Sequence, residues 1–163
     1  MKQLILLCLI LSVLLACSEP ETNYWWTRGQ VPSSRTLLVR AQQQLDEARR
    51  NNAYSRADFA KLSQQLEALL TGTLKDLEAK KVGNNFSASL IKTQAEFMKL
   101  EGQLSFGSRP AYGELCAEVR NFAQRATGGE SVSAPAFTLF TARALFFLAN
   151  ELEVPAPPAL QMG

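Results

Sequence analysis

The chain has 163 residues, of which 47% are hydrophobic and 20% charged, with no histidine and a formal net charge of +2. That length supports one domain with a real core, and the balanced charge, with only short basic pairs such as Arg49–Arg50 and Lys80–Lys81, speaks against a nucleic-acid-binding face. The lack of histidine removes the commonest zinc ligand and the easiest general base at neutral pH.

Met1 and Lys2 form a short positive start, and Leu4 to Leu15 is almost wholly apolar, interrupted only by Cys8 and Ser12. A lone spanning helix needs about 20 apolar residues. This run is shorter and is followed at once by Ser18, Glu19 and Pro20, the pattern of an export signal.

The junction Leu14-Leu15-Ala16-Cys17 resembles the lipobox of bacterial lipoproteins. The resemblance covers only about the first seventeen residues. It implies that the Cys17 thiol receives a diacylglyceryl group, that residues 1–16 are removed as signal, and that Cys17 becomes an acylated first residue. Each buried CH₂ contributes roughly 0.8 kcal/mol, so two or more chains hold a protein at a membrane. In diderm bacteria of this class an aspartate after the cysteine retains the protein in the inner membrane. Here that residue is Ser18, which implies an outer-membrane anchor facing the periplasm, with the inner membrane or cell surface as the alternatives.

Residues 17–33 have no helical period and hold two prolines and a glycine, so they read as an extended tether. Trp25 and Trp26 lie within it, beside Tyr24 and Arg28. Three roles are open to them: packing back onto the body, sitting at the lipid headgroups, or forming a protein-binding patch.

From residue 34 to 153 the sequence predicts helices throughout. Ser33 or Ser34 caps the first, in which Leu38, Ala41, Leu45 and Ala48 share a face and Asn51 and Asn52 mark the end. Ser55 followed by Asp58 approximates a capping box for the second. Its stripe runs Phe59, Leu62, Leu66, Leu69, Thr73 and Leu77, widened by Leu70 and Leu74, with Gly72 a weak point and Gly83 a stop. The third starts near Asn85 or Ser87 and reaches Leu104, with Leu90, Ile91, Phe97, Met98 and Leu104 on its apolar side. Ser108 and Pro110 open the fourth, whose face is Tyr112, Leu115, Val119, Phe122 and Ala126, and Gly128 and Gly129 close it. Ser133 and Pro135 open the fifth. Phe137, Phe140, Ala144, Phe147 and Leu148 form its stripe, and Leu139, Leu145 and Phe146 fall outside, so this helix is apolar nearly all round. Such a helix belongs in the middle of its domain, although Phe146 could instead line a docking groove. Residues 154–163 form a proline-rich tail. The fold expected is all-α, a single compact bundle of about five helices after a cleaved signal and a short tether.

The chain carries no HExxH, GxSxG, CxxC or phosphate-cradling glycine motif. Cys116 is the one cysteine left once Cys8 and Cys17 are assigned to the signal and anchor, and it reads as a buried small hydrophobe. Asp46–Glu47, Glu151–Glu153 and the Glu114/Glu118 pair read as solvated face residues. No catalytic residue, metal or cofactor is expected. The sequence therefore points to a non-catalytic, membrane-tethered lipoprotein that binds or positions another envelope protein. In size, anchor and helical character it is loosely similar to pilotin-like lipoproteins, which hold a helical segment of their client in a groove. The lipoproteins of conjugative exclusion and structural or stress-related envelope lipoproteins are alternatives. A cell-wall enzyme working through two carboxylates is a further one. The residues expected to matter are Cys17 for lipidation, and Trp25, Trp26, Arg28 and Phe146 for contact with a partner or the membrane.

Overall fold

A computed structural model describes residues 32–79 and 84–155. Among them are five α-helices and two short 3₁₀ turns, with no strand: α1 Ser34–Asn52, α2 Ala57–Glu78, α3 Asn84–Met98, the turns Glu101–Gln103 and Phe106–Ser108, α4 Arg109–Thr127 and α5 Ala134–Glu153. The expected signal, residues 17–31 of the expected tether and residues 156–163 of the tail lie outside the described residues.

The helix boundaries follow largely from local chemistry. Ser33 caps α1, its hydroxyl accepting from the Thr36 amide at 3.2 Å. Ser133 caps α5 in the same way, accepting from Ala136, and Pro135 sits in the first turn where its missing N–H costs nothing. At the end of α4, Gly129 takes a left-handed conformation (φ 77°), which lets the Glu130 amide return to the Arg125 carbonyl at 2.9 Å. Three expected boundaries differ. The Ser55–Asp58 box does not form: Arg56 is the residue before α2, and Ser55 donates instead to the Asn52 carbonyl. Ser108 stands before α4 but caps no amide, because its hydroxyl donates to the Glu151 carboxylate. And α3 stops at Met98, six residues short of Leu104, which lies in extended backbone yet is buried.

Helix α5 is the axis of the bundle. Twelve of its residues are buried. Its expected stripe is inside, and so are Leu145, Ala142, Ala149 and Leu152 on another side. α1 lies closest along it, aided by the small buried side chains Ala41 and Ala48. α2 also packs on α5, while α3 and α4 pack on each other and reach α5 through their rings. Phe122 meets Phe137 edge-on at 5.3 Å and Phe140 at 5.5 Å, Phe97 meets Phe140 at 6.2 Å, and Phe86 meets Phe137 at 6.4 Å. Such pairs add to the area they remove from water. The buried hydroxyls of Thr138 and Thr141 donate to carbonyls four residues back, so they bring no unsatisfied group into this core.

Two expected core residues are outside. Ile91 is 55% and Met98 61% exposed. The inner side of α3 is instead Phe86, Leu90, Thr93 and Phe97. Leu38, Leu69, Phe146 and Ala126 are half-buried at the margin of the core.

Phe140 is fully buried, and Phe140→Ala should lower stability by about 3–5 kcal/mol in urea melts. Gly72 is exposed, lies within α2, and an added Cβ would meet nothing within 4 Å. Gly72→Ala should therefore raise the urea midpoint, by a stabilisation of up to about 1 kcal/mol.

Candidate functional site

The most concentrated polar chemistry among the described residues is buried, where the α1–α2 turn, the segment after α3 and the end of α5 converge. Arg56 is 6% exposed and Glu151 1%. The Arg56 guanidinium donates to the carbonyls of Glu151, Val154 (3.0 Å) and Gln103 (2.7 Å), and its carbon sits 4.5 Å from the centre of the Phe59 ring. It thus satisfies carbonyls that the last turn of α5 leaves open. The Glu151 carboxylate accepts from the Ser105 amide at 3.0 Å, from the Ser105 hydroxyl at 2.8 Å and from the Ser108 hydroxyl. Burial pushes the Arg56 guanidinium below its ordinary range, and the charge of Glu151 pulls it partly back. Both charged groups are buried and bonded to backbone and hydroxyl groups of three segments, so the cluster clamps those segments together. The reading of Glu151 as a solvated residue is corrected by this burial. Its position three residues after Leu148, in phase with the α5 core stripe, was the available signal. Nothing in the sequence around Arg56 announced its role.

A second feature is a cleft of about 400 Å³ at the opposite end, between the start of α1, the end of α2 and the start of α5. Leu38, Leu74 and Pro135 give it apolar walls, and Arg35, Lys75 and Glu78 stand around it. Arg35 and Glu78 pair across it at 3.2 Å. The chain enters the bundle at this end, through Ser33. Such a cleft can take an apolar side chain with a polar neighbour.

Two arginines tie carboxylates across helix pairs. Arg143 pairs with Glu118 at 2.8 Å and Glu114 at 3.7 Å, joining α5 to α4. Arg49 bridges α1 to α2 through Glu67 (2.6 Å) and Ser63 (3.0 Å), with Asp46 at 3.3 Å. Among the described residues no group of three acidic or cysteine side chains could hold a metal, and no helix is long and apolar enough to cross a membrane. Cys116 is half-buried against the core, less enclosed than expected. Burial pushes its thiol up, against the opposing pull of Tyr112 and Arg120. Of the residues singled out in the sequence, Cys17, Trp25, Trp26 and Arg28 lie outside the described residues. Phe146 is half-buried, on the strip of α5 that also carries Leu139, 42% exposed. No family model matches the chain, and no match is found among curated proteins or solved structures.

Two outcomes follow. Arg56→Met should destabilise the bundle by about 3–5 kcal/mol in thermal or urea melts, since it takes the donor from the buried carbonyls of Gln103 and Val154 and the nearby positive charge from the buried Glu151 carboxylate. A raised thiol pKa means less thiolate than in free cysteine at the same pH. Alkylation of Cys116 by iodoacetamide at pH 8 should therefore run slower in the folded chain than after unfolding in urea.

Proposed function

We propose that this chain is a lipid-anchored helical protein of the bacterial envelope that binds or positions another envelope protein. The observation that carries the reading is Leu14-Leu15-Ala16-Cys17 at the end of an apolar run with a basic start. An acyl group on Cys17 fixes location, and the helical body supplies the binding surface. Ser18 in place of aspartate favours the outer membrane. The buried Arg56 and Glu151 bond to backbone and hydroxyl groups of the fold, which suits a scaffold that presents surfaces. Trp25, Trp26 and Arg28 are the first candidates for partner contact, with Phe146 next, because tryptophan and arginine are frequent anchors of interfaces. The role most like this one is that of pilotin-like carriers.

Metabolic labelling with a palmitate analogue tests the anchor. Label should enter the wild-type chain and be absent from Cys17→Ser, and equal labelling of the two would overturn the proposal.

A further inference from the structure

Helices α1 and α2 pack on α5 more than on each other, which leaves a groove between them, lined also by the start of α5. Two ion pairs bridge it. Arg35–Glu78, at 3.2 Å, stands where the chain enters the bundle, and Arg49–Glu67, at 2.6 Å, lies further along. The cleft of about 400 Å³ occupies the stretch next to the first pair. Its α1 wall runs from Ser34 to Gln42, about 12 Å at a rise of 1.5 Å per residue, and Arg49 stands beyond it. A space bridged on both sides admits a side chain or a chain end and blocks a strand running along the groove.

The polar groups on the walls fall into two sets. The Thr71 and Thr138 hydroxyls donate to carbonyls four residues back in their own helices, at 2.7 and 2.8 Å, and Arg35 and Glu78 hold each other. The side chains of Ser34, Gln42 and Lys75 make no hydrogen bond or ion pair among the described residues. A hydroxyl, a carboxamide and an ammonium are therefore unspent beside the apolar Leu38, Leu74 and Pro135. Charge favours an anion here. The lining holds two cations against one carboxylate, and that carboxylate is already paired with Arg35. The first residues of α1 and α5 also line the cleft, and helix N-termini carry partial positive charge.

These groups suit one kind of ligand. The ammonium takes a carboxylate, and a carboxamide offers both a donor and an acceptor to a peptide group. The apolar walls take one apolar side chain. The alkyl chain of a fatty acid would offer Ser34 and Gln42 nothing to bond. We infer that the cleft binds the carboxyl-terminal end of a partner polypeptide with an apolar last residue. Lys75 holds the terminal carboxylate, Gln42 a peptide group, and Leu38, Leu74 and Pro135 the side chain. The inference deepens the protein-binding reading above and rests on it only in taking a polypeptide as the ligand.

Titration of the isotope-labelled full chain in detergent with acetyl-Ala-Ala-Leu, followed by amide shifts in NMR spectra, tests this. The free acid should shift amides of residues 34–42, 71–78 and 134–138, with a Kd on the order of 1 mM. The same peptide with an amidated end should bind about threefold or more weakly, and that gap should shrink between about 50 and about 500 mM salt. Lys75→Gln, at an exposed position, should bring the acid down to the level of the amide and leave the amide unchanged. Gln42→Ala should weaken acid and amide alike. Circular dichroism checks that each variant folds. Equal binding of acid and amide, an acid preference that survives Lys75→Gln, or no shift up to about 10 mM peptide would overturn the inference. So would tighter binding of octanoate than of the peptide, which would make the cleft a fatty-acid site. An amidated peptide with an internal aspartate that binds as tightly as the free acid would overturn the choice of a chain end. The two proposals fail separately. Equal palmitate labelling of wild type and Cys17→Ser removes the anchor and leaves these titrations standing, and loss of the acid preference removes the cleft's ligand and leaves the anchor.

Discussion

A helix that is apolar on nearly every side cannot be left against water, and α5 is such a helix. Enclosing it takes neighbours on several sides, and the rest of the bundle is arranged to supply them. α1 lies against it with alanines, α2 with leucines, and α3 and α4 with phenylalanines that interlock with Phe137 and Phe140. Because the last of the described helices is the central one, the core closes only when α5 joins the helices before it. The long-range contacts between α1 and α5 close the bundle, and they join residues about a hundred positions apart, as the Gln44–Asn150 hydrogen bond does.

Burying α5 to its C-terminus creates a problem of its own, since the last carbonyls of a helix need partners. Arg56 provides them from the α1–α2 turn, and Glu151 holds the segment before α4 from within α5. The two charges lie in one cluster and are fully used by backbone and hydroxyl groups, which is the condition under which buried charge is tolerated. The cluster also explains why two expected caps are absent. Ser108 is diverted from its helix to the carboxylate, and the start of α2 is set by Arg56 rather than by Ser55. The polar interior is thus spent on holding the fold, and the features open to partners are at the surface: the cleft where the chain enters, the α5 strip with Phe146, and the exposed Ile91 and Met98 of α3.

These surfaces bear on function in different ways. The anchor proposed from the first seventeen residues concerns where the protein would work. The helical body concerns what it can hold.

Much of the fold was legible in the sequence because it is local. Apolar spacing of three and four residues marked all five helices, Ser33, Ser133, Pro135 and the Gly128–Gly129 pair marked ends correctly, and the excess of apolar residues in α5 marked it as central. What only the tertiary structure decided is which of two apolar sides a helix turns inward. Periodicity places Ile91 and Met98 near Leu90 and Phe97 in composition, but a helix has one side per neighbour, and α3 meets only enough neighbours to bury Phe86, Leu90 and Phe97. The roles of Arg56 and Glu151 were likewise decided in three dimensions. A charged side chain reads as solvent-facing until distant segments, here from residues 103, 105 and 154, bring the carbonyls, amide and hydroxyls that make its burial tolerable.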